Sequence, residues 1–157
     1  MIEYFIVFSK YGKMRLKRLF KTVSSGKKSQ IMNDTMAQIL KRTNAMSNIL
    51  DFRGSRLIYK RYASLYFCAS IEENDNELIT LELIQRYVQL LDAYFGNVCE
   101  LDIIYGIVEA YIILDELLIA GEMAEPNLRG LLKSITKCET IEQDLAIMEN
   151  LIGHSVF

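Results

Sequence analysis

The sequence contains few of the residues from which catalytic and metal centres are usually built. It has one histidine, His154, and three cysteines without a C-x-x-C pair. Ordinary transition-metal sites need more histidine or paired cysteine ligands than this, and neither G-x-G-x-x-G nor a P-loop occurs. The neighbouring acids Asp115 and Glu116 do not share a helix face. We therefore predict a protein that is not an enzyme and that carries no cofactor and no metal.

The three cysteines are Cys68, Cys99 and Cys138. An odd number without paired spacing argues against a disulfide framework and is typical of a reducing cytosol. We expect three buried thiols.

Long apolar runs are also missing. A spanning helix needs roughly 20 consecutive apolar residues, and the densest region, residues 101–120, is interrupted by four acids. The first residues lack the basic and small-residue segments of a signal peptide. We therefore expect any membrane contact to come through partners.

Charge is distributed unevenly along the chain, although the net charge is only −2. Residues 1–42 carry ten Lys or Arg against two acids, whereas the remaining residues carry 8 basic and 18 acidic groups. A basic segment on an otherwise acidic chain suggests an anionic partner. Nucleic acid is one candidate, but no nucleic-acid-binding motif accompanies the charge.

The order of apolar patterns predicts an α+β domain. Residues 2–9 are apolar on both alternating faces, as in a central strand, and a turn at residues 10–13 predicts a hairpin. In the returning strand, Met14 and Leu16 are expected on one face and Arg15 on the solvated other. Further strands are predicted at 49–53, 56–61 and 64–71.

Helical spacing predicts α-helices at about 29–42, from about 77 to Gly96, and at about 98–120. Gly96 is a typical helix end, whereas Gly106, inside the next helix, marks either a local bend or an altered contact with a partner chain. Pro126 suits the first turn of a shorter helix, and residues 141–152 form an amphipathic pattern. The predicted architecture is an antiparallel sheet with helices packed on its faces.

One segment is far more specific than these patterns. Residues 57–68 read LIYKRYASLYFC, which closely resembles the small-chain signature of clathrin adaptor complexes. Collinear segments at 8–16, 75–84, 94–104 and 113–122 also resemble that family. In detail the sequence is nearest the trans-Golgi and endosomal type, which contains gamma-adaptin.

The resemblance implies a longin-like fold, in which a five-stranded antiparallel sheet is sandwiched by helices. It places a small-chain domain at residues 1–137 and a C-terminal helical extension at 138–157. It also implies a non-catalytic sigma subunit of a heterotetrameric clathrin adaptor, in the cytoplasm and peripheral on trans-Golgi and endosomal membranes and coated vesicles. The implied partners are a gamma-type large adaptin, beta-type and medium chains and dileucine-containing cargo tails. Clathrin and membrane are reached only through the complex, and nucleic acid is not a partner.

The family's site for acidic dileucine sorting signals carries over residue by residue. Arg15 matches the basic residue near the signal's acidic position. The matched pocket for the two leucines consists of Ala63, Leu65, Val88, Asn97, Val98, Leu101 and Ile103, with Tyr62 beside it. These side chains are expected to form an apolar slot open to solvent. Without the resemblance, Leu65, Val88 and Leu101 are ordinary core positions and Arg15 is a solvated charge. The alternative is a related longin module, such as a coatomer-type small chain, with an assembly role and no cargo pocket.

Overall fold

Five strands of the computed structural model, which describes residues 1–119, 122–123 and 128–155, form one antiparallel sheet. Their order across the sheet is β2-β1-β5-β4-β3. The strands are β1 Ile2–Ser9, β2 Met14–Leu19, β3 Ile49–Phe52, β4 Ser55–Tyr62 and β5 Leu65–Glu72. The hairpin and the three later strands are confirmed, and so is the five-stranded antiparallel sheet.

Helices cover both faces of the sheet, because its central strands are apolar on both sides. The helices of this part of the chain are α1 Ser25–Leu40, α2 Glu77–Phe95, α3 Glu100–Tyr105 and α4 Ile107–Leu117. A further helix, α5 Leu128–Ser155, belongs to a separate compact unit. On one face Ile6 and Phe8 pack in a cluster with Met36 of α1. On the other face Phe5 meets the ring of Tyr87 of α2 edge to face at 5.5 Å. The predicted longin-like, α+β arrangement is therefore confirmed.

Strand β2 departs from the predicted alternation. Met14 lies opposite Phe8 and Leu16 lies opposite Val7, so β2 has one extra residue, Arg15, at this point. Met14 packs against the cluster under α1, whereas Leu16 shares the opposite face with Val7. The prediction that Met14 and Leu16 face the same way is therefore wrong, because a β-bulge reverses the alternation.

Part of the basic charge of the first 42 residues is paired within the chain. Strand β2 is an edge strand. Two of its arginines reach acids of α3 and α4, and Lys21, which lies just after the strand, reaches an acid of β1. The ion pairs are Arg15–Glu100, Arg18–Asp115 and Lys21–Glu3. The basic segment is therefore not a bare cationic surface, which weakens the inference of a polyanionic partner.

The long helix predicted from about 98 to 120 is two helices that meet at Gly106. Gly106 has φ −105° and ψ 38°, and its N–H donates to the Asp102 carbonyl at 2.7 Å. A Cβ at this position would lie 2.5 Å from the Phe95 ring and 2.9 Å from the Asp102 carbonyl oxygen. Glycine is needed here because α2 approaches the junction closely. The predicted bend is confirmed, but the helix is broken and ends at Leu117.

Replacing Gly106 by alanine is expected to destabilise the fold by about 1–3 kcal/mol, because the Asp102 carbonyl cannot move away from the new Cβ. Urea denaturation of the purified protein measures this change. The matched control is Gly26→Ala in α1, where a Cβ meets nothing within 4 Å and a small stabilisation is expected. Equal midpoints for the two variants would contradict the steric explanation.

The chain divides into two compact units, Met1–Ala124 and Glu125–Phe157. The first also contains a short hairpin, β6 Leu118–Ile119 with β7 Glu122–Met123. The second contains α5, which includes the helix predicted at 141–152. The predicted domain boundary after residue 137 falls within α5 and stays a prediction, and Pro126 lies outside the described residues. No helix among the described residues is long and apolar enough to cross a membrane.

The cysteines differ in their surroundings. Cys68 is fully buried, as expected, and burial raises the pKa of its thiol far above the ordinary value. Cys99 is exposed, so the expectation of a buried thiol is wrong there, because Cys99 caps α3 at a surface junction. The side chain of Cys138 lies outside the described residues.

Candidate functional site

The turn between β4 and β5 carries three of the predicted site residues. Tyr62 lies opposite Leu65 at the end of the ladder, and Ala63 lies in the two-residue turn between them. Ala63 has φ 53°, in the left-handed region that side-chain-bearing residues seldom adopt. Its carbonyl accepts a hydrogen bond from Arg61 Nε at 3.0 Å. Leu65 is 1% exposed, whereas Ala63 is exposed and Tyr62 half-buried.

This turn is joined to the β1–β2 turn and to α2. The N–H of Lys10 donates to the Ser64 carbonyl at 2.9 Å, so the two hairpin turns lie side by side at the same end of the strands. The Tyr62 ring packs edge to face on Phe67 at 5.8 Å, and Phe67 packs on Tyr87 of α2 at 6.0 Å. A continuous row of aromatic rings therefore links the turn to the helix that carries Val88.

The junction between α2 and α3 carries two more of the predicted residues, Asn97 and Val98. As predicted, α2 ends at Gly96, which adopts the left-handed conformation. The next residue, Asn97, is also left-handed, with φ 63°. The Asp92 side chain accepts a hydrogen bond from the Val98 N–H at 2.8 Å, which fixes the turn. Asn97 is exposed and Val98 half-buried. Val88, two turns earlier in α2, is 4% exposed.

Leu101 and Ile103 lie in the first turn of α3 and face opposite ways. Leu101 is 59% exposed and Ile103 is fully buried. The helix starts with a capping box, in which the Asp102 carboxylate accepts a hydrogen bond from the Cys99 N–H at 2.9 Å. Acids in the first turn are favourable at a helix N-terminus, so the start of α3 is rigidly defined.

Arg15 reaches the start of α3. Its Nε donates a hydrogen bond to Oε1 of Glu100 at 2.8 Å, and its Nη2 lies 2.7 Å from the same oxygen in an ion pair. The two side chains are 25% and 21% exposed. The prediction of a solvated Arg15 holds only in part, because the guanidinium is half-shielded and paired. The bulge in β2 re-aims this residue, a common role of bulges near functional sites.

The nine predicted residues thus fall into two groups. Leu65, Val88 and Ile103 are sealed in the core of the chain. The residues with side chains at the surface, wholly or in part, are Arg15, Tyr62, Ala63, Asn97, Val98 and Leu101. Among the described residues, three non-glycine residues have positive φ, and two of them, Ala63 and Asn97, belong to this set. Strained backbone of this kind concentrates at functional sites.

Glu100 was not assigned a role from the sequence, although it contacts Arg15 directly. The only local signal was an acid at the first position of a helix, which normally serves the helix itself. Its partner lies 85 residues earlier in the chain, and no local pattern encodes that contact.

A separate cavity of about 180 Å³ lies on the α1 side of the sheet and is lined by none of the predicted site residues. Glu3 lines it with a nearly buried carboxylate, which accepts hydrogen bonds from Ser55 at 2.6 Å and Ser70 at 3.0 Å. Within the described part of the chain, no three His, Cys, Asp or Glu side chains are grouped to hold a metal ion.

Comparison with known proteins agrees with this architecture. A family model described as "Clathrin adaptor complex small chain" matches residues 1–142. AP-1 complex subunit sigma-3 of Mus musculus is 44% identical over 145 residues, which cover 92% of this chain and 94% of the relative. AP-1 complex subunit sigma-1A of Homo sapiens is 44% identical over 144 residues, which cover 92% and 91%.

The similarity extends to a fungal sequence and to the fold of a chain in a larger assembly. AP-1 complex subunit sigma-1 of Saccharomyces cerevisiae is 41% identical over 145 residues, which cover 91% of this chain and 93% of the relative. A chain in a homology model of the full-length AP-3 complex, in a stretched open conformation, superposes with a TM-score of 0.71. The superposition covers 94% of this chain and 99% of the AP-3 chain. Because the two sequences are only 24% identical, this match supports the fold alone.

Proposed function

This chain belongs to the clathrin adaptor small-chain family, and from that premise we propose that it is a non-catalytic sigma subunit that recognises acidic dileucine sorting signals. The observation that carries the proposal is the contact between Arg15 and the first residue of α3, the helix that presents Leu101 to solvent. A cation and an exposed aliphatic side chain are thereby fixed on neighbouring elements. An acidic residue followed by two leucines needs such a pair of features.

In the proposed complex, the acidic residue of the signal binds beside Arg15. The two leucines contact the exposed side chains of Leu101 and Ala63 and the half-buried Val98. Leu65, Val88 and Ile103 form the floor beneath them and shape the surface without being exposed in the free chain. This assignment gives a role to seven of the nine predicted residues, and it separates those that contact the signal from those that support the contact.

The energetics favour a weak, reversible interaction. Burying each leucine contributes about 1.5–3 kcal/mol, and a hydrogen bond to a charged group adds about 1.5–3 kcal/mol. Loss of translational and conformational freedom costs roughly 4–15 kcal/mol. A single signal is therefore held weakly, and additional contacts made by the rest of a coated assembly raise the effective affinity.

An assembly role accompanies signal binding. Leu101, Ile104, Tyr105 and Val108 are exposed large apolar side chains on α3 and α4, and contiguous exposed apolar surface is typical of an interaction site. We propose that the large chain, a gamma-type adaptin, covers the part of this surface that the signal leaves free. The beta-type and medium chains complete the heterotetramer, which operates on trans-Golgi and endosomal membranes and in coated vesicles and binds clathrin indirectly.

The burial of Leu65, Val88 and Ile103 favours one alternative, a coatomer-type small chain with an assembly role only. The two functions differ in whether the assembled protein binds a signal peptide. An assembly-only subunit incorporates into a complex but does not distinguish a dileucine peptide from its alanine counterpart.

Co-purification with the large chain tests the assembly role directly. The tagged chain, expressed in the cells of its source, is expected to recover a gamma-type large chain together with a beta-type and a medium chain, identified by mass spectrometry. The recovered complex is then titrated with a labelled acidic dileucine peptide and with the same peptide carrying two alanines. Preferential binding of the dileucine form supports the signal site. Recovery of coatomer subunits, or equal binding of both peptides, would favour the assembly-only alternative.

A further inference from the structure

The cation proposed to bind the acidic residue of the signal already has an internal partner. Through a single carboxylate oxygen, Glu100 accepts a hydrogen bond from Nε of Arg15 and forms an ion pair with its Nη2. The guanidinium has five N–H donors in a fixed plane, so its remaining donors are left to bind a ligand. Any carboxylate that approaches Arg15 therefore also approaches the carboxylate of Glu100.

This pair is better defined than the other Arg–acid pair of the same strand. Glu100 is the first residue of α3, whose start is fixed by the hydrogen bond between Cys99 and Asp102. The Arg15–Glu100 side chains are 25% and 21% exposed, whereas those of Arg18 and Asp115 are 37% and 49% exposed. Solvent and salt screen a shielded pair less than an exposed one, so Glu100 offsets much of the charge that Arg15 offers.

We propose that Glu100 is a specificity-determining residue, an internal competitor that limits how strongly the site depends on the acidic residue of the signal. This inference rests on the proposed signal-binding function. With Glu100 in place, a ligand carboxylate gains attraction to Arg15 but is repelled by Glu100. The leucines then provide most of the selectivity, and signals with weak or distant acidic residues remain acceptable.

Glu100→Gln isolates this effect, because the glutamine oxygen still accepts from Arg15 while the negative charge is removed. In the assembled complex, the variant is expected to bind an acidic dileucine peptide roughly three- to tenfold more tightly, the range expected of partly shielded charges. Affinity for the same peptide with glutamine in place of its acidic residue is expected to be unchanged. The gain is also expected to shrink at high salt.

Asp115→Asn is the matched control, because it removes one negative charge beside Arg18, as Glu100→Gln does beside Arg15. It is expected to change neither the affinity for the acidic dileucine peptide nor that for the peptide with glutamine in place of the acidic residue. Thermal unfolding and large-chain recovery confirm that both variants are assembled. Unchanged or weaker binding of the acidic peptide to Glu100→Gln overturns the proposal and makes Glu100 an orienting group or a bystander. If the unmodified complex does not distinguish dileucine from dialanine peptides, the signal-binding function itself fails, and that result is separate from the comparison of variants.

Discussion

Arg15→Glu is expected to weaken binding of an acidic dileucine peptide to the assembled complex by roughly ten- to a hundredfold. The substitution removes a charge-assisted hydrogen bond, a loss of about 1.5–3 kcal/mol. It also places a second carboxylate beside Glu100, so two negative charges face the acidic residue of the signal. Fluorescence anisotropy with a labelled peptide measures the loss, and the peptide whose acidic residue is replaced by glutamine should be affected much less.

Arg18→Glu is the control for Arg15→Glu. Arg18 lies on the same strand, is paired with Asp115 and packs over the Tyr111 ring at 4.7 Å. Replacing it with glutamate changes the net charge of the complex by the same amount as Arg15→Glu. Peptide affinity is expected to stay within twofold of the unmodified complex, since Arg18 has no proposed contact with the signal. If both reversals weaken binding equally, the effect is one of overall charge, and Arg15 loses its assigned role.

Val88→Asp and Leu101→Asp are expected to affect different properties of the complex. The first should lower its stability, and the second should lower its affinity for the signal peptide. Val88 is 4% exposed, and Val88→Asp buries an uncompensated charge, which typically costs about 3–5 kcal/mol. We expect most of the variant to be lost from the complex before any signal is tested. Leu101 is 59% exposed, so Leu101→Asp should change stability by no more than about 0.5 kcal/mol while it weakens binding of the dileucine peptide.

Two measurements separate these effects. Chemical denaturation of the complex reports stability, and peptide titration of the material that remains assembled reports binding. Normal stability of Val88→Asp would show that Val88 is accessible in the complex. Full peptide affinity in an assembled Leu101→Asp complex would remove Leu101 from the site, and failure to recover the large chain would assign it to the subunit interface.

Strands and helices with strong periodicity were predictable from local sequence. The central strands are apolar on both faces, and the end of α2 at Gly96 follows from the left-handed conformation that glycine adopts readily. The bulge at Arg15 was not predictable, because it depends on the register between β1 and β2. The break at Gly106 was predicted only as a bend, since local sequence does not reveal how closely the Phe95 ring of another helix approaches this position.

The candidate site shows the same division between local and long-range information. The family resemblance identified the residues, but it did not distinguish the buried Leu65 from the exposed Ala63, two positions apart in the chain. That difference comes from the turn, in which Ala63 projects beyond the end of the sheet. The contact between Arg15 and Glu100 joins positions 85 residues apart, and it depends on the complete packing of α3 against β2.

The extra residue in β2 also restricts how this hairpin can change in length. Side chains along a strand alternate between faces, so loss of one residue sends every later side chain to the other side. Deleting Arg15 would cancel the bulge and leave Met14 opposite Phe8 and Leu16 opposite Val7, but it would remove the guanidinium that reaches α3. The pairing of β1 with β2 can therefore survive loss of the bulge residue itself, whereas loss of a residue later in β2 would send the side chains that follow it to the opposite face.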